Sequence, residues 1–132
     1  MTNTNSNNGQ GYPPSVLIVE DSPPQALKLK LALEHNGCNV YWSETGLGGL
    51  GMAQEKIFDL IVLDVELPDI NGFEVCRRLK TDPTLKDIPV VMLTTLDQAE
   101  NVHHGLEAGA VDYIPKDAFA EIVLIETIKQ LR

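Results

Sequence analysis

The chain has 132 residues, of which 43% are hydrophobic, and this size and composition are typical of one globular domain with its own core. Its formal net charge of −9 opposes binding to the phosphate backbone of nucleic acids, which depends on clusters of lysine and arginine. No apolar run approaches the roughly 18 residues of a membrane helix, and the N-terminus lacks the apolar core of a secretory signal, so we expect a cytoplasmic protein.

After a polar stretch over residues 1–14, which we expect to be a disordered tail, the sequence alternates short apolar runs with longer stretches of helical character. The runs are predicted as strands: Val16–Val19, Asn39–Ser43, Asp59–Asp64, Ile88–Leu93 and Val111–Ile114. The longer stretches are predicted as helices with approximate bounds: Pro23–Asn36, Thr45–Glu55, Gly72–Thr81, Gln98–Ala108 and Ala118–Arg132. Gly37 is expected to end the first helix, and Ser22 to stand at its N-cap.

This regular alternation predicts a single α/β domain over residues 15–132, with five strands and five helices. Continuous apolar strands are typical of a parallel sheet that helices cover on both faces. Asn39–Ser43 is the least apolar strand, which favours a position near a sheet edge. Because right-handed crossovers bring the carboxyl ends of parallel strands to one edge, ligands are expected to bind there.

Polar and charged residues follow four of the five predicted strands at that edge. In chain order they are Glu20 and Asp21 after the first strand, Asp64 at the end of the third, Thr94 after the fourth and Lys116 after the fifth. Three neighbouring carboxylates repel one another unless a cation lies between them, and such hard oxygen ligands favour Mg²⁺ or Mn²⁺. A carboxylate nucleophile beside a divalent ion, with a lysine and a hydroxyl to bind oxygens, is typical of phosphoryl transfer.

From about Ser15 to Arg132 the sequence resembles the receiver domain of two-component response regulators, the family of the chemotaxis protein CheY. The motifs that carry the resemblance occur in the family's order: Glu20-Asp21, Asp64-x-x-x-Pro68-x-x-x-Gly72, Thr94, Gly109-Ala-Val-Asp-Tyr113 and Lys116. The resemblance implies a flavodoxin-like, doubly wound sheet of five parallel strands with five helices. It also implies that the domain catalyses only its own phosphorylation and dephosphorylation, so it is not an enzyme with an external product.

By this resemblance, Asp64 accepts a phosphoryl group from a histidine kinase or a histidine phosphotransferase, and Lys116 binds the oxygens of that group together with the hydroxyl after the fourth strand. Mg²⁺ would be bound by Asp21, Asp64 and the backbone carbonyl of Glu66, with Glu20 acting through water. The side chain of Glu66 would add a further carboxylate near the pocket.

The resemblance also implies how phosphorylation changes the surface that a partner binds. Thr94 would move toward the phosphoryl group and Tyr113 would turn inward, changing the surface of the fourth helix, fifth strand and fifth helix. A downstream protein would bind that surface, and the domain would be a monomer or a weak phosphorylation-dependent dimer. One loop departs from the family pattern of a proline after the lysine, because Asp117 follows Lys116 and Pro115 precedes it.

Two predicted helices carry apolar stripes that bear on packing and partners. In the first helix, Leu27 and Leu31 lie with Pro24 on a stripe separate from the residues that would pack on the sheet: Ala26, Leu29, Ala32 and Leu33. Either this helix is buried more widely than usual, or Leu27 and Leu31 form an exposed patch that contacts the cognate kinase. The final helix is expected to pack through Phe119, Ile122, Ile125 and Ile128.

Other interpretations of single features are weaker. Gly46–Gly51 matches G-x-G-x-x-G, but a dinucleotide fingerprint follows the first strand of a larger fold, so a loose glycine-rich helix is favoured. A flavodoxin-like ligand-binding domain is disfavoured because the acidic cluster would repel an anionic cofactor. A docking module of the same fold that needs no phosphorylation stays as the alternative. Cys38 and Cys76 are expected to be reduced thiols in the core.

Overall fold

The computed structural model describes residues 12–94, 107–110, 112–116 and 120–130, with only the backbone of Thr94, Asp112, Tyr113 and Pro115. The strands are β1 (Ser15–Val19), β2 (Asn39–Ser43), β3 (Leu60–Asp64), β4 (Val90–Thr94) and β5 (Asp112–Pro115). The helices are α1 (Pro23–His35), α2 (Gly46–Glu55), α3 (Gly72–Thr81) and a C-terminal helix (Ala120–Gln130). Nearly all of the predicted fourth helix, and the predicted tail up to residue 11, lie outside the described residues.

The five strands form one parallel sheet in the order β2-β1-β3-β4-β5. This order confirms the predicted doubly wound, flavodoxin-like fold, and it confirms β2 as an edge strand. The chain moves outward from β1 to β2 and then crosses β1 to enter β3, so the topological switch point lies between β1 and β3. The register places Val19 opposite Leu63, so the residues that follow β1 emerge beside the end of β3.

Helices cover both faces of the sheet because side chains alternate along each buried strand. On β1, Leu17 and Val19 face one core cluster, while Val16 and Ile18 face the other. The first cluster packs under α2 and α3 and includes Ala53, Val75, Cys76 and Leu79. The second packs under α1 and the C-terminal helix and includes Leu29, Leu33, Leu124 and Ile128. Strand β3 is buried along its whole length, and each such aliphatic side chain contributes about 1.5–3 kcal/mol.

Helix α1 resolves the choice between wide burial and an exposed apolar patch. Its buried residues are Ala26, Leu29 and Leu33, which face the sheet. Leu27 and Leu31 are 54% and 55% exposed, so the widely buried helix is wrong and the second stripe faces solvent. Gly37 follows the helix with φ of 87°, as predicted for the residue that ends it.

The C-terminal helix packs through part of the predicted stripe: Ile128 is buried and Ile125 packs against the second core cluster, while Phe119 lies outside the described residues. Ala120, Leu124 and Ile128 are buried at a spacing of four residues. Ile122 is 57% exposed, so its place in the predicted stripe is wrong. The prediction chose large apolar side chains three residues apart. In the structure, the smaller Ala120 faces the sheet in line with Leu124.

Both cysteines lie in the core, as predicted, and neither forms a disulfide. Burial raises the pKa of Cys76 to about 11, so its thiol is protonated at neutral pH. Among the helices that the structure describes, none combines the length and the apolar character that a bilayer crossing requires.

Candidate functional site

An acidic cluster forms at the carboxyl edge of the sheet, at the switch point between β1 and β3. Glu20, Asp21 and Asp64 each offer a carboxylate oxygen, and these oxygens all lie within 4.8 Å of one another. Glu20 and Asp64 are 1% and 4% exposed, whereas Asp21 faces solvent. The parallel register of β1 and β3 therefore brings together three side chains that lie in two separate parts of the sequence.

Lys116 supplies a positive charge inside this cluster. Its Nζ lies 2.6 Å from Oε1 of Glu20 and donates a hydrogen bond of 2.9 Å to Oδ2 of Asp64. Burial by itself would lower the pKa of Lys116, but its contacts with the two carboxylates outweigh burial and raise that pKa above its ordinary value. The lysine is therefore a fixed cation at neutral pH, and it neutralises one of the two buried carboxylates.

Glu20 is held on several sides by the turn after β1 and by the end of β2. Its backbone N–H donates to the carbonyl of Ser43 at 3.0 Å, and its backbone carbonyl accepts the indole N–H of Trp42 at 2.7 Å. Oε2 accepts the backbone N–H of Ser22 at 3.0 Å. Burial raises the pKa of Glu20, with repulsion from Asp64 adding to it, and the contact with Lys116 and the hydrogen bond from Ser22 offset only part of that rise.

Asp64 is oriented by groups on either side of its carboxylate. Oδ1 accepts the backbone N–H of Glu66 at 3.1 Å, and Oδ2 accepts Lys116. The loop after Asp64 closes where Gly72 donates its N–H to the carbonyl of Val65 at 2.9 Å. A Cβ at Gly72 would collide with the backbone carbonyl of Asp64, so glycine is required where α3 begins against the end of β3.

The donor set fits a hard divalent cation. Three carboxylates gather in one place, and hard oxygen ligands of this kind suit Mg²⁺ or Mn²⁺. The contact of Glu20 Oε1 with Lys116 is an ion pair without hydrogen-bond geometry, and this buried oxygen has no hydrogen-bond partner among the described residues. Beyond its ion pair with Lys116, this buried oxygen keeps acceptor capacity for a water bound to a cation. The cluster could therefore bind a metal ion.

Two of the predicted site residues are placed only by their backbone. Thr94 ends β4, where the register sets it opposite Pro115 of β5, one residue before Lys116. Tyr113 lies opposite Met92 in the same pair of strands. The side chains of Thr94 and Tyr113 lie outside the described part of the structure, and so does the predicted fourth helix. The predicted switch therefore stays a prediction.

Leu27 and Leu31 lie on α1, the helix that begins just after the acidic pair. They are on its exposed face and take no part in the cluster. Beside them, the exposed Lys28 forms an ion pair of 3.6 Å with the half-buried Glu121 of the C-terminal helix, which joins the two helices on this side of the sheet. The patch is thus a surface feature near the site and separate from it.

Two residues that contact the site region were not predicted to do so. Trp42 was assigned to packing on an edge strand, yet its indole N–H also holds the backbone of Glu20. Asp69 accepts the backbone N–H groups of Gly46 and Leu47 at 2.9 and 2.8 Å, which links the loop after Asp64 to α2. The residue types show that Trp42 can donate a hydrogen bond and that Asp69 can accept one. Their partners lie more than twenty residues away in the chain, so only the register of the sheet identifies them.

Comparisons with known proteins agree with this geometry. A family model of the response regulator receiver domain matches residues 16–129. The chain is 37% identical over 109 residues to Protein PilH of Pseudomonas aeruginosa, covering 83% of this chain and 90% of PilH. It is 38% identical over 119 residues to the DNA-binding dual master transcriptional regulator RpaA of Synechocystis sp., covering 90% of this chain and 49% of RpaA. The chain thus spans about half the length of that regulator.

Solved structures show the same architecture. A putative response regulator from Chloroflexus aurantiacus superposes with a TM-score of 0.84 at 33% identity, covering 90% of this chain and 97% of that one. The Mn²⁺-bound form of response regulator Rcp1 superposes with a TM-score of 0.77 at 26% identity, covering 89% of this chain and 93% of that one. Because the family model covers most of the chain, and the acidic pair, Asp64 and Lys116 meet at the sheet edge, the chain belongs to the receiver domain family of two-component response regulators.

Proposed function

We propose that this receiver domain is a phosphorylation switch in which Asp64 accepts a phosphoryl group from a histidine kinase or a histidine phosphotransferase. One observation carries the proposal: Asp64 is buried at the end of β3, and it lies within hydrogen-bond distance of Lys116 and beside Glu20 and Asp21. A structural role, such as capping a helix or a turn, would not call for two further carboxylates and a lysine around it.

The chemistry follows from the two oxygens of the Asp64 carboxylate. An oxygen of that carboxylate attacks phosphorus, the bond between phosphorus and the donor's imidazole nitrogen breaks, and the electron pair of that bond stays on the nitrogen. The N–H of Glu66 and the Nζ of Lys116 keep the carboxylate oriented, so little reorganisation precedes the attack. Lys116 then compensates negative charge on a phosphoryl oxygen.

A divalent cation is part of the proposal, as Mg²⁺ or Mn²⁺. Asp21, Asp64 and the backbone carbonyl of Glu66 would hold it, with Glu20 acting through water, and when bound it would offset the charge of the incoming phosphoryl group among the carboxylates. The buried Glu20 Oε1 without a hydrogen-bond partner and the cluster of three carboxylates support this assignment. The Mn²⁺-bound form of Rcp1 shows that a receiver of this fold takes such an ion.

Signal output would use Thr94 and Tyr113. Thr94 would bind the phosphoryl group, Tyr113 would turn inward, and the surface around β5 would change for a downstream protein partner. The domain over residues 15–132 would act in the cytoplasm as a monomer or a weak phosphorylation-dependent dimer, and it would catalyse no reaction other than its own phosphorylation and dephosphorylation. Substituting phenylalanine for Tyr113 should leave phosphate incorporation unchanged and weaken phosphorylation-dependent partner binding.

The test of the phosphoacceptor is incubation with acetyl phosphate and Mg²⁺, followed by measurement of acid-labile phosphate on intact protein. The wild type should take up one phosphate per chain, and Asp64→Asn should take up none. Asp87→Asn is the matched control, because Asp87 is an exposed carboxylate in the loop that precedes β4, at the opposite edge of the sheet. Equal labelling of wild type and Asp64→Asn would refute the proposal, and no labelling of either would favour a docking module that needs no phosphorylation.

The exposed patch on α1 is proposed as the kinase contact. Leu27 and Leu31 are one helical turn apart and more than half exposed, as expected of anchors in a helix-to-helix interface. The double substitution of both by glutamate should slow phosphotransfer from the kinase without changing phosphorylation by acetyl phosphate. Ile57→Glu serves as the control, because Ile57 is 91% exposed and lies outside this patch. An unchanged rate from the kinase in the double variant would contradict the assignment.

A further inference from the structure

The loop between β3 and α3 carries a carboxylate that the proposed phosphoryl chemistry does not use. Asp69 Oδ1 accepts the N–H of Gly46 at 2.9 Å, and Oδ2 accepts the N–H of Leu47 at 2.8 Å. These are the first two amides of α2, which have no partner within their own helix. The hydrogen bond from Leu47, with help from that of Gly46, lowers the pKa of Asp69 to about 2, so the carboxylate is charged at neutral pH.

The glycines at the start of α2 make this contact possible. A Cβ at Gly46 would lie 2.8 Å from side-chain atoms of Ile70 and Val75, so only glycine lets the loop approach the helix end. A Cβ at Gly49 would lie 2.7 Å from a methyl group of Val19 on β1. Gly46 and Gly49 thus let the N-terminus of α2 pack against the loop and the sheet, and the positive end of the helix accepts a carboxylate of the same chain.

Asp69 ties the outer part of the loop to α2 through hydrogen bonds, beside the packing of Leu67 and Ile70 against the core. The base of the loop is held where Val65 donates to the carbonyl of Leu93 at 3.0 Å and accepts from Gly72 at 2.9 Å. Glu66 lies between that base and Asp69, and its N–H contacts Asp64 Oδ1. Without Asp69, the outer part of the loop would keep no other described hydrogen bond to α2.

We propose that Asp69 is a positioning residue: by holding the loop against α2, it fixes the peptide of Glu66 beside the Asp64 carboxylate and so sets the affinity of the acidic cluster for a divalent cation. The inference rests on the proposed function, since it assigns Asp69 to the same site. The residue touches neither the cluster nor the phosphoryl group, and it acts through the loop backbone.

The experiment measures binding of Mn²⁺ by electron paramagnetic resonance, together with the free energy of unfolding in urea, on the full chain. Asp69→Ala should weaken Mn²⁺ binding by about tenfold, as loss of a group that orients a ligand does. Asp69→Asn keeps one acceptor oxygen and should show a smaller loss. Thr45→Ala is the matched control, because Thr45 Oγ1 accepts the N–H of Gly48 at 3.0 Å and caps the same helix end without touching the loop.

Both substitutions to alanine should lower stability, since Asp69→Ala removes two hydrogen bonds from the start of α2 and Thr45→Ala removes one, while only Asp69→Ala changes Mn²⁺ affinity. Equal Mn²⁺ affinity in wild type and Asp69→Ala would overturn the inference and leave the proposed function standing. Equal weakening in Asp69→Ala and Thr45→Ala would also overturn it, because the order of α2 would then be the cause. Absence of Mn²⁺ binding to the wild type would count against the proposed metal site itself.

Discussion

Replacing Lys116 by methionine tests the electrostatics of the site most directly. Methionine keeps most of the side-chain volume and removes the charge. Lys116 is the cation between Glu20 and Asp64, with Nζ at 2.6 and 2.9 Å from their oxygens. Its side chain is 9% exposed, and those of the two acids are 1% and 6% exposed, so water screens the interaction little. The variant would keep two buried carboxylates close together without a counter-charge.

The size of the effect follows from the geometry. Oxygens of Glu20 and Asp64 lie within 4.8 Å of each other. At an effective dielectric constant of about 20, two unit charges at that distance repel by about 3 kcal/mol. Loss of one partner from a buried ion pair typically costs about 3–5 kcal/mol. We therefore expect Lys116→Met to lower the free energy of unfolding of the metal-free protein by about 3 kcal/mol at pH 7.

The pH dependence of this difference has a defined direction. The pKa of Lys116 is higher in the folded protein than in the unfolded chain. The stability that the Lys116 charge contributes is therefore complete below the unfolded pKa of about 10.4, and it is lost only as the pH rises through the higher folded pKa. The folded-state pKa of Glu20 is also raised, so the fold gains stability as Glu20 takes up a proton on acidification. Without Lys116 this gain in stability is larger, so the stability deficit of Lys116→Met should shrink as the pH falls below 7.

Urea unfolding followed by circular dichroism measures the difference, with EDTA present to remove divalent ions. Lys28→Met is the matched control, because Lys28 is 54% exposed in its ion pair of 3.6 Å with the half-buried Glu121 and should contribute less than about 1 kcal/mol. A loss in Lys116→Met no larger than in Lys28→Met at pH 7 would refute the reasoning. A deficit that stays constant down to pH 5 would show that carboxylate repulsion is not its cause.

Three further outcomes follow from packing around the site. Gly72→Ala should lose about 2–3 kcal/mol in urea unfolding, because its Cβ would collide with the carbonyl of Asp64, whereas Gly51→Ala should gain up to about 1 kcal/mol in a helix with open space beside it. Mn²⁺ should quench the fluorescence of Trp42, the single tryptophan, because its indole holds the backbone beside the acidic cluster. Cys76 should react with iodoacetamide at pH 7.5 only at the rate of unfolding, because it is buried and protonated.

Each of these three predictions would be contradicted by a specific result. Equal stability of the two glycine variants would show that the approach of α3 to the end of β3 is looser than described. Quenching by Mn²⁺ that persists in Asp21→Asn and Asp64→Asn would place the ion elsewhere. Native-state alkylation of Cys76 at the rate of an exposed thiol would contradict its place under α3.

The fold could be predicted from the sequence because each level of local information pointed the same way. The apolar run of β3 and its neighbours predicts buried parallel strands, and the polar residues at four strand ends predict a shared edge. The largest difference in strand bounds is in β4, predicted from Ile88 and observed from Val90. Apolar periodicity predicted the buried face of the C-terminal helix less well, because it gave weight to large side chains such as Ile122, which is exposed. The face that a helix turns to the sheet is set by all of its contacts together.

Some aspects of the site could be decided only by the tertiary structure. Glu20, Asp64 and Lys116 are separated by tens of residues. The register of β1 against β3 brings the two acids together, and the pairing of β4 with β3 and of β5 with β4 brings the lysine to them. The contacts of Trp42 with Glu20 and of Asp69 with α2 likewise cross between elements.

The class of fold, the edge at which the site lies and the side chains that could take part were therefore predictable from local patterns along the chain. The tertiary structure decided the distances among those side chains, which of them are buried, and the partner of each donor and acceptor. The two sets of features differ because the interactions behind them act over different separations along the chain. Strand and helix propensities, turn residues and apolar periodicity act between near neighbours in the chain. Ion pairing, desolvation and hydrogen bonding depend on separations in space, and packing of the whole domain sets those separations.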